Sequence, residues 1–167
     1  LHGGLDLKIL KSNKNGHTLS EVITTNTWIN GIETNSKGDI YYSDVVNGII
    51  KYENGKKILT YNNDNGFLFN EPTGILIDNK DWIWTASGSA GVAFFDGTVW
   101  NYLNSDDGLL NNNVSNIAYD TNGNYYFAHR IGITRYRPKE RKGLVSIKSV
   151  STSKSDYLGS DLEKLKV

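Results

Sequence analysis

The chain has 167 residues, 38% of them hydrophobic and 22% charged, with 18 basic side chains against 18 acidic ones and no cysteine. A net charge of zero leaves no electrostatic footprint for nucleic acid or an anionic membrane surface, and the missing cysteines exclude disulfides and thiolate metal centres. No apolar run approaches the ~18 residues of a membrane span, and no signal peptide is read in it.

The first predicted elements are two strand-like stretches, 4–10 and 19–24. They look like the third and fourth strands of a four-stranded unit whose first half is missing. Two whole units follow, ending near Asn63 and Ser105, and a last unit supplies three strands up to Tyr136. The units superpose on one another. Gly38-Asp39-Ile40-Tyr41-Tyr42-Ser43 aligns with Asp81-Trp82-Ile83-Trp84-Thr85-Ala86 and with Gly123-Asn124-Tyr125-Tyr126-Phe127-Ala128. Gly48, Gly91 and Gly132 fall in register behind them, at a repeat of about 42 residues.

The second unit shows the strand plan, here lettered a to d. Strand a is 73–78, followed by a turn at Asn79-Lys80, strand b is 82–87 and strand c is Gly91–Phe95. Asp96-Gly97 makes a two-residue hairpin into strand d at 99–103. The loop 104–113 leads to the next unit. Seventeen glycines, ten tyrosines and four tryptophans set among such turns point to an all-β fold. Strand b is apolar on both faces (Ile83, Trp84, Ala86), which suits a sheet packed between two others. Radially stacked four-stranded sheets are β-propeller blades; a two-sheet sandwich is the competing geometry.

About three blades are fewer than the usual four to eight. The chain is therefore expected to be a piece of a longer polypeptide or to self-associate, with a larger or oligomer-closed propeller as the whole. The absence of methionine and the end at Val167 within a strand-like pattern agree with that expectation. Targeting signals would then lie outside the piece. Residues 1–143 are assigned to blades. After Arg137-Pro138 the repeat stops, and 144–167 holds either a displaced last strand or the start of a following domain.

The best copy of the repeat is Gly108-Leu109, Asn112, Val114, Ile117, Asp120, Gly123-Asn124, Tyr126, Gly132-Ile133 and Tyr136. It resembles the two-component regulator propeller repeat, over roughly residues 4–138. That resemblance implies the extracytoplasmic sensor region of a bacterial hybrid histidine kinase. It implies a periplasmic or extracellular location within an inner-membrane protein, and oligosaccharide ligands. It also implies an immunoglobulin-like domain after the last Arg-Pro, for which Leu144-Val145-Ser146-Ile147-Lys148-Ser149-Val150 would be the first strand. Any kinase activity would sit in other parts of the parent, so this chain is read as non-enzymatic. It departs from the family at strand b, where the usual Trp-Ile-Gly-Thr is Tyr41-Tyr42-Ser43-Asp44, Trp84-Thr85-Ala86-Ser87 and Tyr126-Phe127-Ala128-His129.

No cofactor or metal is expected. The three histidines, His2, His17 and His129, occupy different repeat positions and offer no ligand spacing. The acidic loops at 62–66 and 104–108 lack the alternating oxygen ligands of a calcium loop and are read as tight turns. Asn113-Val114-Ser115 matches a glycosylation acceptor only as a short pattern. The candidate ligand residues lie in the b–c turns, which share a rim with the d–a loops. They are Asp44 and Asn47, Ser87 and Ser89, and His129 with Arg130, a donor-rich pair suited to a carboxylate, sulfate or sugar hydroxyl. The alternative is ordinary solvated turns. Trp28, at the start of a strand a, is either a stacking platform for a sugar or blade packing; Trp82 and Trp84 are read as packing. Two other functions stay open: a structural or secretion-associated propeller that binds a protein partner, and a lyase- or glycosidase-type enzyme. The enzyme would need acids or histidines clustered near the axis.

Overall fold

A computed structural model describes residues 5–13, 16–25, 27–138, 149–151 and 156–158. The fold is all-β apart from two short 3-10 turns. β1 (Leu5–Asn13) and β2 (Gly16–Thr25) form an antiparallel hairpin. The first blade is β3 (Ile29–Thr34), β4 (Ile40–Asp44), β5 (Gly48–Glu53) and β6 (Lys56–Tyr61), hydrogen-bonded in chain order. The second is β7 (Pro72–Ile77), β8 (Ile83–Ser87), β9 (Gly91–Phe95) and β10 (Trp100–Leu103). The third has three strands, β11 (Val114–Tyr119), β12 (Tyr125–His129) and β13 (Gly132–Tyr136). The described residues thus build successive blades, not a closed propeller.

One local device makes every a–b turn. Asn35 Oδ1 accepts the backbone N–H groups of Lys37 and Asp39, at 3.1 and 2.9 Å. Asp78 Oδ1 does the same for Lys80 and Trp82, at 2.8 and 3.0 Å, and Asp120 Oδ1 for Asn122 and Asn124, both at 2.9 Å. A short side-chain acceptor closes the turn in place of a longer loop. Strand b then sends an aromatic tip back to it: Trp84 Nε1 donates to Asp78 Oδ2 and Tyr126 Oη to Asp120 Oδ2, each at 3.0 Å. The c–d turn Asn54-Gly55 has positive φ at both residues, the geometry that a two-residue hairpin needs.

The cores lie between blades. Tyr41, Ile49, Phe67, Phe69, Ile83 and Ala93 join the first to the second. Trp84, Ala86, Val92, Leu109, Val114, Ile117, Tyr125 and Phe127 join the second to the third. All five residues of β8 are buried, because both faces of its sheet are covered. In β12 burial alternates, and Ile133 and Arg135 on β13 are exposed. The d–a loops differ from plain turns. Each opens with a 3-10 turn, Asn63–Asn65 or Ser105–Asp107, closed by a reciprocal capping box and a left-handed glycine.

The chain divides into two compact units, Leu1–Arg137 and Pro138–Val167. In the second, β14 (Ser149–Ser151) pairs antiparallel with β15 (Asp156–Leu158). Of 144–167, the stretch read as a last strand or the start of an immunoglobulin-like domain, all but 149–151 and 156–158 lies outside the described residues.

Candidate functional site

Strand pairing fixes which loops share a rim. Pro72 lies opposite Ser87, Ser87 opposite Gly91, and Val92 opposite Leu103. The start of a, the b–c turn and the end of d therefore sit at one end of the blade, and the d–a loop crosses the same end.

The seven candidate residues fall into two groups there. Asp44, Ser87 and His129 are equivalent: each ends its strand b, and each is buried. Asp44 and Ser87 hold their own turns. Asp44 Oδ1 accepts from Val46 N and Asn47 N, both at 2.9 Å. Ser87 Oγ accepts from Ser89 N and Ala90 N, at 3.3 and 3.2 Å. His129 is the last residue of β12 and not part of the turn proper. Its Nδ1 lies 3.1 Å from the Asn113 carbonyl and its Nε2 2.9 Å from Thr134 Oγ1. A carbonyl only accepts, so Nδ1 carries the proton, and in the neutral ring Nε2 accepts a hydrogen bond from the threonine hydroxyl. Thr134 Oγ1 accepts in turn from Leu110 N at 3.0 Å, so this chain of bonds pins the d–a loop to the third blade.

Asn47, Ser89, Arg130 and Trp28 form the exposed group. Trp28 is 71% exposed, so among the described residues it does not pack between blades. Its carbonyl accepts from Val45 N at 3.0 Å, which places it beside the first b–c turn. The same rim carries exposed Val46, Leu68, Leu110 and Ile131, none of which the sequence had singled out as site residues. His2 lies outside the described residues. Among those that are described, no three His, Asp or Glu side chains converge as a metal site.

Two cavities flank the first b–c turn. One, of about 210 Å³, is lined by Thr25, Thr27, Tyr42, Asp44, Asn47, Ile50 and Lys57. A smaller one, of about 50 Å³, lies against Val46, Asn47, Asn62, Phe69, Asn70 and Glu71 among others. Asn47 borders both. Asp44 and Lys57 are the two charged side chains that line the larger cavity. Burial alone would raise the Asp44 pKa, but hydrogen bonds from the Thr27 hydroxyl, the Asn47 backbone and amide and Val46 N outweigh burial and hold it below the usual carboxylate value. Burial, helped by the Asp44 charge, pushes the Tyr42 hydroxyl above its usual value.

No protein-family model matches the sequence, and no curated protein is detectably similar to it. Solved structures share its fold. The extracellular domain of the putative hybrid two-component system BT3049 from B. thetaiotaomicron superposes with a TM-score of 0.58 at 20% identity, over 77% of this chain and 21% of that one. The extracellular domain of BT4673 from the same organism gives a TM-score of 0.59 at 18% identity, over 70% of this chain and 17% of that one. PorZ, a surface component of the type-IX secretion system of Porphyromonas gingivalis, gives 0.54 at 17% identity, over 75% of this chain and 19% of that one. The chain thus spans about a fifth of the length of these structures, and at such identities the likeness defines a class of fold: blades of the β-propeller type.

Proposed function

We propose that this chain is part of the extracytoplasmic ligand-sensing region of a bacterial two-component signalling protein of the hybrid histidine kinase kind. The observation that carries the reading is the shared fold with the extracellular domains of BT3049 and BT4673, together with the repeat that resembles the two-component regulator propeller. Among the described residues no helix is long and apolar enough to cross a membrane. The chain itself is read as a binding module without enzymatic activity.

In this reading the ligand engages the rim of the b–c turns and d–a loops. Trp28 offers an apolar ring face, and Asn47, Ser89 and Arg130 offer exposed polar groups. Asp44 and Ser87 hold the turns that present Asn47 and Ser89, and His129 holds the adjoining d–a loop. An oligosaccharide is the ligand class that suits an exposed indole beside amides and hydroxyls. Binding shifts blade packing only by the difference in affinity for the two packing states, and the shift is passed to the neighbouring domain. Remaining blades of the parent, or a second copy, cover the outer face of the third blade at Ile133.

PorZ supports a second reading, a secretion-associated propeller that binds a protein through the apolar rim residues Val46, Leu68, Leu110 and Ile131. The reading frame that encodes the chain separates the two. An immunoglobulin-like segment, then an apolar span of ~20 residues and a phospho-acceptor histidine domain, is the expected result. A secretion-type terminal domain without a span would sink the sensor reading and favour the second.

A further inference from the structure

Six Asn-Gly pairs are written into this chain, beginning at Asn15, Asn30, Asn47, Asn54, Asn65 and Asn122. Asn15 lies outside the described residues. An asparagine before glycine reacts with its own backbone when the geometry permits. The glycine nitrogen attacks the asparagine Cγ and a C–N bond forms. That nitrogen gives its proton to solvent, and Nδ2 leaves as ammonia. Water then opens the cyclic imide at either carbonyl, leaving an aspartate or a β-aspartyl linkage. Glycine suits the step because it has no Cβ to hinder ring closure and its backbone turns freely. Two conditions select the reactive pair in a folded chain. The side-chain amide must be free to swing onto the backbone, and the glycine N–H must not be held by another acceptor.

The fold withholds one or both conditions from the other described pairs and grants both to Asn54. Asn30 lies within β3, and its Nδ2 donates to the Pro72 carbonyl at 2.9 Å. Asn47 Nδ2 donates to Asp44 Oδ2 at 3.1 Å, and Gly48 is buried. Asn65 is tied at both ends of its amide. Its Oδ1 accepts from Asn62 N at 2.9 Å, and its Nδ2 donates to the Thr60 carbonyl at 2.5 Å. Asn122 is exposed, but Gly123 N donates to the Asp120 carbonyl at 3.1 Å. Asn54 and Gly55 form the exposed turn between β5 and β6. Among the described residues neither the Asn54 amide nor the Gly55 N–H makes a hydrogen bond.

We propose that Asn54 is a site of spontaneous deamidation, with the Gly55 nitrogen as nucleophile, and that the fold protects the other described Asn-Gly pairs. The reaction changes the first blade in two ways. Both products place a new carboxylate beside Glu53, in a turn whose closing pair is Glu53 and Lys56. The β-aspartyl product also lengthens the backbone by a methylene, which a two-residue hairpin cannot absorb without disturbing the strand register. The proposal concerns the chemistry of this chain and is independent of the sensor reading.

The test is to incubate the folded 167-residue chain in mildly alkaline buffer, digest it with trypsin, and follow each Asn-Gly peptide by mass spectrometry. Chromatography separates the aspartyl from the β-aspartyl form. Cleavage after Lys51 and Lys56 isolates Asn54 from the other pairs. The same incubation in urea is the control. Each hydrogen bond that must open first slows a site by about threefold to tenfold, so Asn54 should convert ahead of Asn122 by about that factor, and ahead of Asn65, with two such bonds, by more. In urea, where these bonds are gone, the pairs should convert at similar rates. Conversion of Asn54 no faster than that of Asn47 or Asn65 in the folded chain would overturn the proposal. An equal lead for Asn54 in urea would also overturn it, because neighbouring sequence and not the fold would then select the site.

Discussion

The second and third blades are built from the same repeat, yet equivalent residues in them have different physical work. Gly91 opens strand c of the second blade with φ +93°, and a Cβ there would collide with the carbonyl oxygen of Leu103 on strand d. Gly132 opens strand c of the third blade, where the described sheet ends. A Cβ on it would meet only the Leu110 side chain, at 2.9 Å. Gly48 in the first blade behaves like Gly91, with φ +94° and the Tyr61 carbonyl in the way. A shared glycine therefore marks a shared position, while its necessity depends on whether a fourth strand lies alongside.

The largest expected effect separates these glycines. Gly91→Ala, or Gly48→Ala, should cost more than about 3 kcal/mol, from left-handed backbone plus a backbone clash. Gly132→Ala should cost less than about 1 kcal/mol, since a leucine side chain can move aside. Chemical denaturation of the three variants checks the contrast, and equal losses would refute it.

The next largest effect concerns the two a–b turn aspartates. Asp78 is buried, and besides its own turn it receives the Trp84 indole and the Tyr125 hydroxyl from the third blade. Asp120 holds the same turn but takes its aromatic partner, Tyr126, from its own sheet. Asp78→Ala strands several donors at a blade junction and should cost about 3 kcal/mol; Asp120→Ala should cost clearly less. Thermal unfolding monitored by tryptophan fluorescence would report both.

Acid should expose a third difference. Burial tends to raise the carboxyl pKa of Asp44, yet hydrogen bonds hold it below the usual value, and the Val99 backbone N–H leads in holding Asp96 below it. Backbone and side-chain hydrogen bonds from Asn124 lead in holding Asp120 at about 2. A depressed folded pKa stabilises above the unfolded value, and that stability is lost as pH falls through the folded one. Tm should be flat between neutral pH and about 5 and decline below about 4. Asp44→Asn should make the decline shallower. The smallest effect lies at the surface between the first two blades. There Ser36 N and Oγ donate to Asp81 at 2.8 and 2.6 Å, and Ser36→Ala should cost less than about 1 kcal/mol.

The blade plan was legible because turn chemistry and strand alternation repeat in the sequence. Asn54-Gly55, Asn122-Gly123 and the aligned glycines mark strand ends without reference to anything distant. The rim was legible as a place but not as a division of labour. Asp44, Ser87 and His129 look like candidate ligand groups because they are polar and sit at a loop. Only the fold shows that each is turned inward to hold its own turn or loop. Trp28 resembled a packing residue by its chemistry, and its exposure depends on what lies next to strand a.

The absence of cysteine from the chain permits a direct test of the sensor reading. Ser89→Cys would place a lone thiol on the exposed rim, in the parent protein expressed in its own cells with any other cysteines replaced. The account predicts that a membrane-impermeant maleimide labels it in cells whose inner membrane is intact. Labelling that appears only after lysis would contradict it.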